Sequence, residues 1–240
     1  MAVTISGSTG ISGIDGSAAT PAVQGADTNT GMFFPAADTI AFAEGGVESM
    51  RLDSSGYMQG TVNGLGAGRI PAMQYYRLNS ALGGANNTSA QNVLGVGVTL
   101  VGSTQYAFEA LYYLAKTAGT TSHTVGIGFG GTATINNILY LANGYDGTAA
   151  INTRVTSSAF DLLLINTASN TTYTGANTAA ASSTVSFIQG TVSVNAGGTF
   201  IPQYTLSAAP GGAYTTQIGS YFRIWPLAAS GSNVSIGSWA

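Results

Sequence analysis

The stretch Ser183–Leu227 reads STVSFIQGTVSVNAGGTFIPQYTLSAAPGGAYTTQIGSYFRIWPL, and it decides the fold. It contains three runs of alternating apolar and polar residues. The apolar positions share one parity within each run: Ile188, Val192 and Val194; Phe200, Tyr204 and Leu206; Ile218, Phe222 and Ile224. Alternation with a period of two is typical of a β-strand with one buried face. Asn195–Gly198 and Pro210–Gly212 separate the runs and are turn-forming sequences. These features predict three antiparallel strands joined by short turns, as in a β-sandwich or jelly roll.

The same pattern extends back to residue 74. Further strands are predicted at Gln74–Leu78, Gln91–Leu100, Gln105–Lys116, Thr124–Phe129, Asn137–Leu141 and Ala159–Ile165, before the closing runs 184–194, 199–206 and 216–226. Helical periodicity is almost absent. Tyr106–Ala115 contains Ala and Leu, but its aromatic residues favour a strand. The sequence therefore predicts an all-β protein in which residues 74–240 form an antiparallel β-sandwich of jelly-roll type, the head domain.

The composition indicates a folded protein with an unusually uncharged surface. Only 6% of the 240 residues are charged, against roughly 25% in an ordinary soluble domain. Disorder is excluded because 45% of the residues are hydrophobic and 10% are aromatic. We therefore expect a rigid β protein that buries its uncharged surface against identical copies of itself.

Several classes of partner and chemistry are disfavoured. The chain has no run of basic residues, which argues against nucleic-acid binding. It has no cysteine, so disulfides and thiolate chemistry are excluded. The N-terminus lacks the pattern of a signal peptide, and the most apolar run, Val93–Val101, is too short to span a bilayer as a helix. The sequence predicts no membrane insertion.

The first 73 residues are predicted to form three segments: an extended arm at 1–16, a small trimerising β module at 17–56 and a Gly-rich linker at 57–73. Within the module, Met32–Phe34, Thr39–Ala43 and Glu48–Asp53 are predicted strands, with Met50 and Leu52 facing inward. So few apolar residues make such a meander marginal on its own. We therefore expect copies to meet through apolar residues. The predicted trimer interface comprises Phe33, Phe34, Ile40, Phe42, Met50 and Leu52, with Arg223 and Trp225 in the head.

Part of this module resembles a repeat of known proteins. The segments Asp27–Gly31, Pro35–Phe42, Gly45–Glu48 and Met50–Gly56, which read DTNTG, PAADTIAF, GGVE and MRLDSSG, are similar to a repeat in tail-fibre and related virion proteins of tailed bacteriophages. The resemblance covers about one sixth of the chain. It implies a structural virion protein whose N-terminal region attaches to another virion protein of the baseplate, tail or capsid.

The head carries a second, looser resemblance. Gly190–Val194, Gly197–Phe200 and Gly219–Phe222 resemble, in strand order, the trimeric modules of C1q/TNF type. This resemblance implies a homotrimer.

No arrangement typical of catalysis or of metal or cofactor binding is found. His123 is the only histidine, and no nucleophile motif accompanies it. The only acidic residues of the head are Glu109, Asp146 and Asp161, and metal sites need clustered ligands. Gly126–Gly131 matches the G-x-G-x-x-G pattern but lacks the strand–turn–helix context of a phosphate loop. The sequence predicts a protein that is not an enzyme and has no cofactor.

The remaining functional candidates are tyrosines in polar loops. Tyr145, Tyr173 and Tyr214 are predicted contacts for a host cell-surface glycan or protein, and Trp239 is expected at the base of the trimer. The favoured hypothesis is a homotrimeric tail fibre located in the virion, with a head that binds a receptor without catalysis. Two alternatives stay open: a capsid decoration protein whose N-terminal arm joins capsomers, and a fibre that degrades polysaccharide through paired carboxylates.

Overall fold

The chain is all-β and divides into two compact units. The structure is a computed structural model and describes residues 4–6, 10–12, 14–54, 58–60, 73–147, 159–231 and 233. The first unit comprises Met1–Ala72 and Asn233–Ala240, and the second is Met73–Ser232. The described residues contain strands, turns and bends but no helix, which confirms the predicted fold class.

The described strands of the first unit are short. They are β1 (Thr4–Ser6), β2 (Gly10–Ser12), β3 (Val23–Gln24), β4 (Gly31–Phe33), β5 (Ile40–Glu44), β6 (Val47–Leu52) and β7 (Met58–Gly60). Strands β1 and β2 pair with each other within the segment predicted as an arm. Most of the predicted linker lies outside the described residues, and β7, at its beginning, pairs with β6.

Strands β3 to β7 form an antiparallel sheet in chain order, so the predicted meander is confirmed. The turn between β5 and β6 consists of Gly45 and Gly46, both with positive φ, as a tight hairpin requires. One face of the sheet packs Phe33, Ala41 and Ala43 into a small core, against which Ala18 lies. Met50 and Leu52 lie on the other face, where Met50 is half-buried and Leu52 is 39% exposed, so their predicted inward orientation is wrong. The register explains this, because Leu52 pairs with the exposed Ile40, whereas Arg51 pairs with the buried Ala41.

The second unit is built from two sheets. Its described strands are β8 (Gln74–Arg77), β9 (Leu82–Gly83), β10 (Gln91–Asn92), β11 (Val98–Leu100), β12 (Thr104–Lys116), β13 (Val125–Gly130), β14 (Thr134–Gly147), β15 (Ala159–Ile165), β16 (Thr171–Thr172), β17 (Ser182–Ala196), β18 (Gly198–Leu206), β19 (Thr215–Thr216) and β20 (Tyr221–Ala229). The large sheet has the order β15-β14-β17-β12-β20-β8, with β19 and β9 continuing from the end of β12. The small sheet pairs β18 with β10, β11 and β13, and β13 with β16.

Aromatic side chains from both sheets form the centre of the core. Phe129 and Phe200 of the small sheet stack at 4.4 Å between ring centroids. They face Phe108 and Tyr140 of the large sheet, and the centroid of Phe129 lies 5.2 Å from that of Phe108 and 5.3 Å from that of Tyr140. Strand β12 shows why the sequence folds this way: all its even-numbered residues are buried and its odd-numbered residues are half-buried. The second unit is therefore a β-sandwich.

The closing stretch Ser183–Leu227 forms strands, but strands that follow each other in the sequence do not lie side by side in one sheet. Strand β17 belongs to the large sheet, β18 to the small sheet and β20 again to the large sheet. The chain changes sheets at Gly197, where a side chain on the next residue, Gly198, would come within 2.6 Å of the Ala133 amide nitrogen. Ile218 lies in a turn and is 57% exposed, so it does not share a face with Phe222 as predicted.

One other predicted strand is interrupted. Gln91–Leu100 is not continuous, because β10 and β11 are separated by a bend around Gly95, which has positive φ.

Candidate functional site

The first unit exposes one whole face of its five-stranded sheet. Directly opposed residues of antiparallel strands project from the same side. Val23 pairs with Met32, Met32 with Phe42 and Phe42 with Met50, while Ile40 pairs with Leu52 and Leu52 with Met58. These seven residues form what we call the N-terminal apolar face: Val23, Met32, Ile40, Phe42, Met50, Leu52 and Met58. Met32 and Met50 are half-buried, and the other five are exposed.

The two faces of this sheet differ in the size of their apolar side chains. The buried side contains one large apolar residue, Phe33, together with the alanines of the small core. It also carries the ion pair in which Arg51 Nε lies 2.5 Å from Glu48 Oε1. Of the predicted interface residues, Phe33 is buried within its own unit and Phe34 is half-buried. Ile40, Phe42, Met50 and Leu52 all lie on the N-terminal apolar face, and their role in a trimer stays a prediction.

The outer face of the large sheet in the second unit is also apolar at one edge. Leu141 pairs with Leu164, and Leu162 pairs with Asn143, the neighbour of Leu141 on the same face. Leu162 and Leu164 lie on β15, where the described part of this sheet ends. Together with Leu139, these leucines form an exposed group, which we call the leucine patch: Leu139, Leu141, Leu162 and Leu164. The sequence did not predict this patch, although four consecutive apolar residues, Leu162–Ile165, must place apolar side chains on both faces of a strand.

The opposite part of the outer face carries one ion pair among aromatic rings. Arg223 Nη2 donates to Glu109 Oε2 at 2.6 Å, and Tyr221 Oη donates to Glu109 Oε1 at 2.7 Å. The hydrogen bond from Arg223 lowers the pKa of the Glu109 carboxyl below its ordinary value. The Arg223 guanidinium carbon lies 5.9 Å from the ring centroid of Trp225, and Tyr75 lies 5.7 Å from Tyr221. Arg223 and Trp225, both half-buried, thus share an outer face that is available to a partner.

Two of the three predicted receptor-contact tyrosines are buried. Tyr173 is 5% exposed and Tyr214 is 1% exposed, so neither presents a ring to a receptor, and both are corrected to interior residues. Tyr145 is half-buried on β14, and its receptor role stays a prediction. Trp239 lies outside the described residues.

The position of Tyr214 is explained by the single histidine. His123 is buried, and its Nδ1 lies 2.8 Å from the Thr121 carbonyl oxygen, so Nδ1 donates. Its Nε2 lies 2.9 Å from Tyr214 Oη and therefore accepts when the ring is neutral. Tyr214 Oη also lies 3.3 Å from Ser182 Oγ, and Asn177 Nδ2 donates to the same Ser182 oxygen at 2.7 Å. This chain of hydrogen bonds fixes one end of the sandwich, and burial raises the pKa of the Tyr214 hydroxyl.

The three head carboxylates do not all lie together: Asp146 and Asp161 are on the paired strands β14 and β15, and Glu109 is on β12. Glu109 projects from the outer face of the large sheet, where Arg223 engages it. Asp146 accepts from Thr184 Oγ1 at 3.1 Å, and burial raises the pKa of its carboxyl. Over the residues that the structure describes, no three histidines or acidic residues come together in a group that suits a metal ion.

Comparison with protein-family models, with curated proteins and with solved structures found no match for this chain. Across the described ranges, no helix is long and apolar enough to cross a membrane.

Proposed function

We propose that this chain is a self-associating structural protein of a bacteriophage virion: a homotrimeric tail fibre whose head binds the host surface without catalysis. The observation that carries the proposal is the N-terminal apolar face. A sheet that carries seven apolar residues on one side, five of them exposed, and buries Phe33 and a few alanines on the other is poorly stabilised as a monomer. Covering that face with identical sheets supplies the missing apolar burial.

The identity of the assembly rests on the sequence resemblance. The phage tail-fibre repeat covers residues 27–56, and this range contains the three central strands of the same sheet. The low charge of the whole chain supports association as well. Only 6% of the residues are charged, so a monomer would have few charged side chains to keep its surface hydrated. The outer face of the head, with its leucine patch and aromatic residues, is a second surface for copies or for a receptor. Three copies of a head also provide avidity from weak individual sites.

Two measurements test the proposal on the full chain. Sedimentation equilibrium is expected to give three times the chain mass of 24.1 kDa, and a monomer at all concentrations would contradict self-association. Antibody labelling of purified virions, viewed by electron microscopy, is expected to mark the tail fibres. Labelling distributed over the capsid would instead favour the decoration protein, and absence from the particle would remove both virion hypotheses.

Receptor binding has its own test. Purified trimer is expected to bind host cells and to block phage adsorption, with heat-denatured protein as the control. A protein that binds no cells but labels the tail would keep the structural role and remove the receptor-binding role. Release of reducing sugar from host envelopes would support the polysaccharide-degrading alternative.

A further inference from the structure

The two sheets of the head separate at one edge of the sandwich and leave a pocket between them. On the large sheet this edge is β8, and on the small sheet it is β10 and β11. The pocket has a volume of about 200 Å³. We call it the edge pocket, and its lining includes Tyr76, Leu94, Val96, Pro202, Phe222 and Ile224.

The strand register turns one side of β8 towards the edge pocket. Tyr76 pairs with Phe222, and Gln74 pairs with Ile224. Directly opposed residues project from the same side of a sheet, and Phe222 and Ile224 belong to the buried core. Tyr76 therefore projects towards the inner side of the large sheet, yet it is 46% exposed. An inward-facing tyrosine with so much exposed surface shows that the core stops short of this edge.

The opposite wall of the edge pocket is the segment that runs from β10 to β11. Its backbone lies close to β18, because a Cβ atom on Gly97 would come within 2.5 Å of Ile201 Cγ1. The Val93 amide donates to the Pro202 carbonyl oxygen at 2.9 Å. This wall is therefore fixed to the small sheet by backbone contacts, which keep the pocket open without a ligand.

The lining determines the chemistry of the ligand. Among the described residues that line the edge pocket none is charged, so an ionic group would lose its hydration there without gaining a partner. The floor consists of buried residues whose side chains have no hydrogen-bonding group: Leu94, Pro202, Phe222 and Ile224. The hydroxyls of a sugar ring would lack partners on this floor. The amide of Gln74, an exposed lining residue, offers hydrogen bonds at the rim.

The size of the edge pocket narrows the class of ligand further. An apolar cavity of about 150 Å³ lined by Leu, Ile and Phe stays dry and binds benzene. Pockets for drug-sized ligands measure about 300–1,000 Å³. At about 200 Å³, the edge pocket suits a single ring or a pair of fused rings. The rings of Tyr76 and Phe222 favour an aromatic ligand, because aromatic rings attract one another through face and edge contacts.

We propose that the edge pocket binds a small, uncharged aromatic molecule, with its ring against Phe222 and Ile224 and its polar edge at the rim beside Gln74. Burial against the apolar floor removes the ring from water. The open rim leaves a polar substituent in contact with water or with the Gln74 amide. The pocket belongs neither to the N-terminal apolar face nor to the leucine patch, and the proposal does not depend on the virion role.

The test uses indole as the probe, because indole is uncharged and consists of two fused rings with one N–H donor. Saturation-transfer NMR on the full chain is expected to give a dissociation constant of about 1 mM or tighter. Saturating indole is also expected to raise the thermal unfolding midpoint. Benzoate, a charged aromatic ring, and methyl glucoside, a neutral sugar, are each expected to bind at least about tenfold more weakly than indole.

Three variants make the result specific to the edge pocket. Val96→Trp places a larger side chain on a wall residue that is 43% exposed, so it is expected to block the pocket and weaken indole binding about tenfold or more. Tyr76→Ala removes the rim ring from an exposed position of an edge strand, so it tests the pocket even if Val96→Trp fails to fold. Val101→Trp is the matched control, because Val101 is 49% exposed and does not line the pocket.

Weaker indole binding in Val96→Trp and Tyr76→Ala, with unchanged binding in Val101→Trp, would support the site. The proposal is overturned if the unaltered chain binds no indole, or if both pocket variants bind it as tightly as the unaltered chain does. It is also overturned if Val101→Trp weakens binding equally, or if benzoate or methyl glucoside binds as tightly as indole.

Discussion

Replacing Phe42 by serine tests the proposed association through the N-terminal apolar face. Phe42 is at the centre of that face, paired with Met32 on one side and Met50 on the other, and it is 40% exposed. A phenylalanine side chain has about 200 Å² of surface, so roughly 80 Å² remains to be covered by another copy. At about 25 cal/mol per Å², this corresponds to about 2 kcal/mol per copy.

The loss is multiplied by the number of copies. Three copies lose about 6 kcal/mol, which is roughly a ten-thousandfold decrease in the trimer association constant. The effect on the single chain is smaller, because strand preferences at partly exposed positions span about 1 kcal/mol. Phe42→Ser is therefore expected to shift the protein from trimer to monomer while the β-sheet circular dichroism signal is retained.

Sedimentation equilibrium over a range of concentrations measures this shift directly. Ile218→Ser is the matched control, because Ile218 is exposed in a turn of the second unit and belongs neither to the N-terminal apolar face nor to the leucine patch. The reasoning is refuted if Phe42→Ser and Ile218→Ser associate as strongly as the unaltered chain.

Three further predictions concern the head. Phe129→Ala is expected to cost about 3–5 kcal/mol of unfolding free energy in urea titrations, because the ring is buried among other aromatic rings of both sheets; a cost below 1 kcal/mol would contradict that packing. Arg223 lowers the pKa of the Glu109 carboxyl in the folded chain. The ion pair therefore stabilises the fold fully at pH values above the pKa of Glu109 in the unfolded chain, and this stabilisation is lost as the pH falls through the folded-state pKa. Glu109→Gln is expected to remove that acid sensitivity, and urea midpoints that keep the wild-type pH profile would disprove it. Burial raises the pKa of Asp146. The stability contributed by this group therefore rises as the pH falls through the raised folded pKa towards the unfolded value. Asp146→Asn is expected to flatten that rise, and an unchanged slope would refute the assignment.

The alternation of apolar and polar residues predicted the strands of the head well, because a strand that is buried on one face carries apolar residues at every second position. Strand β12 alternates over its whole length, and its aromatic residues fill one side of the sandwich. Which strands are neighbours is not a local property. Strand β17 pairs with β12 and β14, both distant in the chain, while the adjacent β18 joins the opposite sheet after a single glycine. The sequence around Gly197 reads as an ordinary turn and does not show the change of sheet.

The functional residues were harder to predict, because polar partners from distant strands decide which loop residues are buried. Tyr214 lies in a Gly- and Thr-rich loop, and its burial depends on His123, 91 positions earlier. Tyr173 can be buried because Gly144 has no side chain that would collide with the Tyr173 hydroxyl. In the first unit, the predicted alternating strand Thr39–Ala43 is confirmed within one residue by the observed strand Ile40–Glu44. Which side faces inward depends on the partners of the strand, and here the smaller alanines are buried and the larger Ile40 and Phe42 are exposed.

The two exposed faces differ in chemistry, and the difference suggests separate roles in the proposed assembly. The N-terminal apolar face consists of aliphatic, methionine and phenylalanine side chains, whose burial is favourable but non-directional. The outer face of the head instead carries the Glu109–Arg223 pair, and breaking an ion pair is costly once association between copies has buried it. When two copies pack through the outer face of the head, only arrangements that keep the Glu109–Arg223 pair bonded are favourable. This requirement restricts how the copies can be aligned. It follows that Phe42→Ser should weaken association, whereas Glu109→Gln at neutral pH should leave association in place and broaden the distribution of assembled forms seen by native mass spectrometry.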